Sequence, residues 1–153
     1  MYVPALAARA PHPALVWNAS VSAPIGLYAV SAPHDLARGD MVIARLPGRF
    51  GRLAAARHYL PQGVLLVKRV AAMPGDRFCA LGPILTLPEG RSVVRLPRDH
   101  SGRTMPSWTG CGRLRPAHYL LIMTGAPSSF DGRYFGPTPS RDIVGKARLL
   151  WPR

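Results

Sequence analysis

At 153 residues the chain is one domain, long enough to bury a core of its own. Its 15 glycines and 17 prolines argue for short strands and many turns, and its 20 basic against 7 acidic residues give a net charge of +13. Those basic residues, 18 arginines with only Lys68 and Lys146 as lysines, are scattered, and no zinc-finger spacing or aromatic-rich RNA-binding strand accompanies them. Nucleic acid is therefore not the expected partner, and an anionic lipid surface fits the charge better.

The opening MYVPALAARAPHPALVW is mildly apolar but carries Arg9, His12 and three prolines. It is too short and broken for a spanning helix, which needs about 20 apolar residues. It also lacks the basic start and continuous apolar run of a secretion signal, so the chain as written reads as soluble. A bend, NASVSAPIGLY over 18–28, leads into a strand at 27–30, a polar turn and a second strand at 41–46. GRFGRLAAARHYL over 48–60 is the one passable helix, with Leu53, Ala56 and Leu60 on one face and Pro61 and Gly63 as its stop. A strand at 64–72 closes on the turn Met73-Pro-Gly-Asp76, followed by short strands at 78–80, 84–87 and 93–96. The irregular DHSGRTMPSWTGCGRLRP precedes a strong apolar strand at 119–123, a loop GAPSSFDGRYFGPTPSRD and a last strand at 143–151. With no repeat, heptad or low-complexity tract, the pattern is a mainly β domain of short strands with one short helix.

Lys68 is the residue out of place. It stands inside the apolar run VLLVKRVAAM, where alternation allows it to face the interior. Burial disfavours the charged amine, so such a lysine can be neutral near pH 7, which an arginine cannot be. The alternative is a lysine on an edge strand whose amine reaches back to water. A serine needs a base to become a nucleophile, and a lysine can replace the histidine of a triad. NASVSAPIGLY supplies two hydroxyls, Ser20 and Ser22, on a bend that is otherwise read as a plain turn. Asp131 and Arg133 lie two apart in SSFDGRYFGP, a loop too polar for core, where they form either a local ion pair or a brace for a site with Ser129 free to bond an amine. His12, His34, His58, His100 and His118 have no acid partner in the sequence and read as surface groups. Cys79 and Cys111 lack the close-pair spacing of a zinc site, and no metal or cofactor is expected.

Together these segments resemble the type I signal peptidase group of serine–lysine proteases, peptidase family S26, and within it the TraF-like branch that processes proteins for conjugative transfer. NASVSAPIGLY resembles the nucleophile segment, with Ser22 in the Ser-x-Pro-x-Gly position. VKRVAAMPGD resembles the lysine segment, with Gly75-Asp76 as its closing turn. SSFDGRYFGP followed by IVGKARLLW resembles the C-terminal box, and GRTMPSWTGC between them also matches, so the likeness spans about 16–151. The resemblance implies a mainly β fold of antiparallel strands. It also implies Ser22 as nucleophile, Lys68 as general base, Ser20 with the Ser22 N–H as the oxyanion hole, and Ser129 as the group that orients the lysine. Asp131, Arg133 and Asp76 would be structural supports. Pro24 and Gly26 would hold the bend so that both hydroxyls face the cleft.

The substrates implied are exported precursors such as a pro-pilin, cut at the periplasmic face of the bacterial inner membrane, with inner-membrane lipid as a second partner. Relatives carry a spanning helix just before the nucleophile segment. Residues 1–17 are accordingly expected to be the remnant of, or a replacement for, an anchor, and 18–153 the peptidase domain. If the chain is a truncated form, a longer reading frame should encode an apolar run of about 20 residues ending near Ala14. An oxidising periplasmic location implies a Cys79–Cys111 disulfide. The rival reading is a non-catalytic assembly or binding protein of a secretion or conjugation apparatus that keeps the fold. A cytosolic self-cleaving repressor would explain the charge, but no helix-turn-helix segment precedes the serine.

Overall fold

Short apolar runs separated by Gly and Pro turns become eleven strands in the computed structural model, which describes residues 12–153. Seven of them, β1 (Leu15–Asn18), β2 (Gly26–Ser31), β3 (Met41–Ala44), β4 (Leu66–Ala72), β9 (His118–Leu121), β10 (Thr138–Pro139) and β11 (Ile143–Pro152), form one sheet in the order β1-β2-β11-β3-β4-β9-β10. The others, β5 (Arg77–Leu81), β6 (Ile84–Thr86), β7 (Ser92–Val94) and β8 (Gly110–Arg113), form a smaller sheet in the order β7-β6-β5-β8. Every pairing is antiparallel. Helix α1 (Gly48–Ala56) connects β3 to β4, and a single turn, α2 (Gly132–Phe135), follows β9. The mainly β architecture expected from the sequence is present.

The central strands are covered on both faces, which explains why they read as apolar runs rather than alternating ones. On β3, Val42 and Ala44 pack with Val70, Leu121 and Ile143, while Ile43 between them joins Tyr28, Val30, Val67, Met123 and Val144. Helix α1 lays Phe50 and Ala54 against Leu66, Phe130, Tyr134 and Phe135. Strands β2 and β11 approach so closely that a side chain at Gly26 would strike the Trp151 carbonyl, and one at Gly145 would strike Ser31 and Val30. Gly26 thus also serves strand packing at the start of β2.

The differences from the sequence reading have identifiable physical causes. The helix expected over 48–60 stops at Ala56 because His58 turns left-handed, with φ of 59°. The N–H of His58 then bonds the Ala55 carbonyl and that of Tyr59 the Ala54 carbonyl, closing a Schellman cap without glycine. Strand β8, Gly-Cys-Gly-Arg, has no β propensity, and its pairing to β5 makes it a strand. Cys111 therefore lies on a strand rather than in an irregular segment, directly opposite Cys79 of β5, and the two are joined by a disulfide. Helix α2 makes a second helix where one was expected, started by Asp131, whose side chain accepts the Arg133 N–H. Strand β1 straddles the boundary drawn at 17/18 and pairs along its length with β2. Residues 1–11, part of the expected anchor segment, lie outside the described residues.

Candidate active site

The bend between β1 and β2 carries Ser20 and Ser22. Their hydroxyl oxygens stand 3.1 Å apart, and the Ser22 N–H lies 3.5 Å from Ser20 Oγ. Pro24 lies at the base of the bend, where its carbonyl accepts from the buried Tyr28 hydroxyl at 2.7 Å. Val21 between the serines is 85% exposed, so the tip of the bend projects from the sheet rather than packing into it.

Lys68 comes from the middle of β4, paired with Val42 of β3. Strand alternation puts it on the same side as Leu66 and Val70, and it is 3% exposed, so the reading of an edge lysine reaching water is ruled out. Its Nζ donates to Ser22 Oγ and to Ser129 Oγ, each at 2.9 Å. Burial pulls its pKa from 10.5 down to about 8; Asp131 opposes the fall and Arg133 adds to it. The strand ends in a Met73–Asp76 turn with Pro74 and Gly75 at its centre, Gly75 having φ of 84°. Asp76 Oδ2 accepts the Met73 N–H at 2.8 Å and meets Arg38 Nε at 3.1 Å.

Ser129 sits at the end of the 124–131 loop, 2% exposed. The expectation that this loop is too polar for core is overturned: Asp131 is 0% and Arg133 2% exposed. They are tolerated there because their hydrogen-bonding groups find partners. Arg133 Nε bonds Asp131 at 2.8 Å, and its terminal nitrogens reach the carbonyls of Met123 (3.0 Å), Pro127 (3.2 Å) and Ala126 (3.3 Å). Asp131 Oδ2 also accepts the Met123 N–H at 3.0 Å. The pair thus ties the loop that carries Ser129 to the end of β9. Trp108, from the irregular segment, donates its indole N–H to the Gly132 carbonyl at 3.0 Å and holds the same turn from outside.

Ser22 and Lys68 open into a cleft of about 510 Å³ walled by Tyr59, Leu60, Leu96, Met105, Phe130 and Tyr134. The sequence reading missed this wall. Tyr134 accepts the Leu96 N–H at 3.1 Å, and Asp99 accepts from the Tyr59 hydroxyl, from Arg103 Nε and from the Ser101 and Arg103 N–H groups. Asp99 thereby pins the 97–105 loop to the end of α1. An aspartate with two arginines near it was visible in the sequence, but its partner Tyr59 lies 40 residues away. Of the histidines, His100 lines the cleft at its exposed rim. The disulfide consumes both thiols, so neither cysteine can ligate a metal.

The structure thus sets a buried lysine within reach of a serine on a β scaffold, and comparison with known proteins shows the family. The family model for signal peptidase, peptidase S26, matches residues 2–152, and the chain belongs to that family. Among its relatives, the conjugal transfer protein TraF of Agrobacterium tumefaciens is 31% identical, over 99% of this chain and 90% of that protein. The plasmid transfer protein TraF of Escherichia coli is also 31% identical, over 88% of this chain and 82% of that one. A signal peptidase I structure from Enterococcus faecalis superimposes with a TM-score of 0.42 at 16% identity, over 78% of this chain and all of that one.

Proposed function

We propose that the chain is a serine endopeptidase of exported precursor proteins, with Ser22 as nucleophile and Lys68 as its general base. The observation that carries the reading is the Lys68 amine, buried, depressed in pKa and 2.9 Å from Ser22 Oγ. In its neutral form the amine offers a lone pair, and the Ser22 hydroxyl donates to it. As Ser22 Oγ attacks the scissile carbonyl, its proton passes to Lys68. The new negative charge on the carbonyl oxygen is met by the Ser22 N–H and the Ser20 hydroxyl. Collapse expels the amine, which takes the proton back from Lys68 and leaves an acyl ester on Ser22. Water, deprotonated by the same lysine, then hydrolyses the ester. Ser129 holds the amine on line through its 2.9 Å contact, while Asp131, Arg133 and Asp76 keep the backbone in place.

Membership of the signal peptidase family supports an exported precursor as substrate, and the names of the relatives point to conjugal or plasmid transfer as its setting; a pro-pilin is the substrate proposed. Work at the periplasmic face of the inner membrane fits that role. Among the described residues no helix is long and apolar enough to cross a membrane. Contact with lipid is supported instead by the charge of +13 and by Trp17 and Trp151, exposed at 54% and 72% and both in register with Leu27. Residues 1–17 would act as the attachment segment and 18–153 as the peptidase domain.

The test is processing of a candidate precursor by purified Ser22→Ala and Lys68→Arg variants. Both should lose turnover entirely, because arginine keeps charge and approximate length but never becomes neutral. Ser20→Ala should lose only about 10²–10³-fold, one of two oxyanion donors being gone. Near-normal processing by Lys68→Arg would overturn the assignment of Lys68 as base, and a wild type that processes no precursor would return the chain to the non-catalytic assembly role.

A further inference from the structure

Asn18, the last residue of β1, is 6% exposed and takes no part in the chemistry described above. Its Nδ2 donates to the carbonyls of Ser20 (3.0 Å), Ala23 (3.2 Å) and Pro24 (3.1 Å), and its Oδ1 accepts the Ser20 N–H at 3.1 Å. The three carbonyls can only accept, so the orientation of the amide is fixed by its partners. The Ala23 N–H reaches back to the Ser20 carbonyl at 3.4 Å, which makes Ser20–Ala23 a turn with Val21 and Ser22 at its centre. The first and last carbonyls of that turn both end on Asn18. The two central residues project from the turn, Val21 into solvent and Ser22 toward Lys68, with the Ser20 hydroxyl beside Ser22 Oγ.

We infer that Asn18 is the positioning residue of the nucleophile bend: its buried carboxamide fixes the Ser20–Pro24 backbone and so aims the Ser22 hydroxyl and N–H into the cleft. The inference rests on the Ser–Lys reading. The residue type follows from the geometry. Aspartate has the shape but no donors, serine has one donor on a shorter arm, and glutamine is a methylene too long for carbonyls two to six residues away. Asn18 also pairs with Gly26 across the β1–β2 ladder, so the bend is tied to the sheet at the point where it leaves it. A nucleophile misplaced by about 1 Å loses about 10²-fold in rate even when nothing that touches the substrate has changed.

The experiment measures phosphonylation of Ser22 by a small fluorophosphonate, resolved into a maximal rate and a half-saturating concentration, for the wild type, Asn18→Asp, Asn18→Ser and Ser22→Ala, each normalised to folded protein by circular dichroism. Asn18→Asp should lose about 10²-fold in maximal rate with half-saturation changed less than about twofold, the signature of a loss confined to the transition state. Asn18→Ser, with one donor left, should fall between. Should Asn18→Asp fold too poorly to assay, Asn18→Ser decides by the same criterion. A wild-type maximal rate in the folded Asn18 variants, with Ser22→Ala inert, overturns the inference and leaves the dyad intact. So does a change confined to half-saturation. Labelling that persists in Ser22→Ala removes the dyad reading, and the inference with it.

Discussion

The large sheet around Ser22 and the small sheet beyond β4 share apolar cores and differ in how many polar groups they bury beside them. The first buries Asn18, Lys68, Ser129, Asp131 and Arg133 within one neighbourhood, all at 6% exposure or less. The second buries Ala71, Ala80, Leu85, Leu87, Val93 and Leu114, and adds a disulfide across β5 and β8. Burying a polar group costs free energy unless its hydrogen bonds are replaced, whereas burying a leucine gains it. The site region therefore adds to its apolar core a set of matched polar partners that leave little tolerance for change, whereas the small sheet adds a covalent tie. Stability and activity should separate along that line.

The sharpest break should come at Asp131. Asp131→Asn leaves the Arg133 charge buried with no counter-charge, and such losses run to about 3–5 kcal/mol. Chemical denaturation should show that loss, and turnover should fall with it because the Ser129 loop is released. A loss below about 1 kcal/mol would mean that the backbone carbonyls alone hold Arg133.

The small sheet should respond in the opposite way. Replacing both cysteines, Cys79→Ser with Cys111→Ser, opens a link across a separation of 32 residues and should cost about 3 kcal/mol while the rate per folded molecule stays at the wild-type level. A fall in that rate would show that the two regions are coupled.

The third effect has the reverse sign. With a folded pKa of about 8 against an unfolded value near 10.5, the unfolded chain binds more protons at Lys68 between those values, so stability rises with pH across that window. Below pH 8 both states hold the proton, and the fold carries the full cost of a charged amine in a buried site. At about 1.4 kcal/mol per pH unit, Lys68→Met should stabilise the protein by up to about 3 kcal/mol near neutrality, less the lost hydrogen bonds, and the gain should vanish toward pH 10.5. Thermal melts at several pH values test this, and a destabilised Lys68→Met at pH 7 would contradict the burial cost.

The two regions also differ in how far the sequence foretold them. Lys68 was legible because an amine inside an apolar run in an arginine-rich chain has few explanations, and Ser22 because proline and glycine mark its bend. The strands at 41–44 and 66–72 were legible from apolar runs that ladders on both sides require. Strand β8 was not, since Gly-Cys-Gly-Arg becomes a strand only through β5, a partner more than 30 residues away. Nor was the burial of Asp131 and Arg133, which depends on carbonyls at 123, 126 and 127 turning toward one guanidinium. Tyr59 and Asp99 form the cleft wall by a contact that local spacing does not encode. What escaped was in each case a polar or pairing partner supplied from elsewhere in the chain.

The central claim is that Lys68 works as a neutral base, and the pH dependence of kcat/KM on a processed precursor tests it most directly, since that ratio reports groups of the free enzyme. The rate should climb with pH through an apparent pKa of about 8 and level off above it as Lys68 loses its proton. A profile already level below about pH 7, or one still rising at the ~10.4 of an ordinary lysine, would contradict the account.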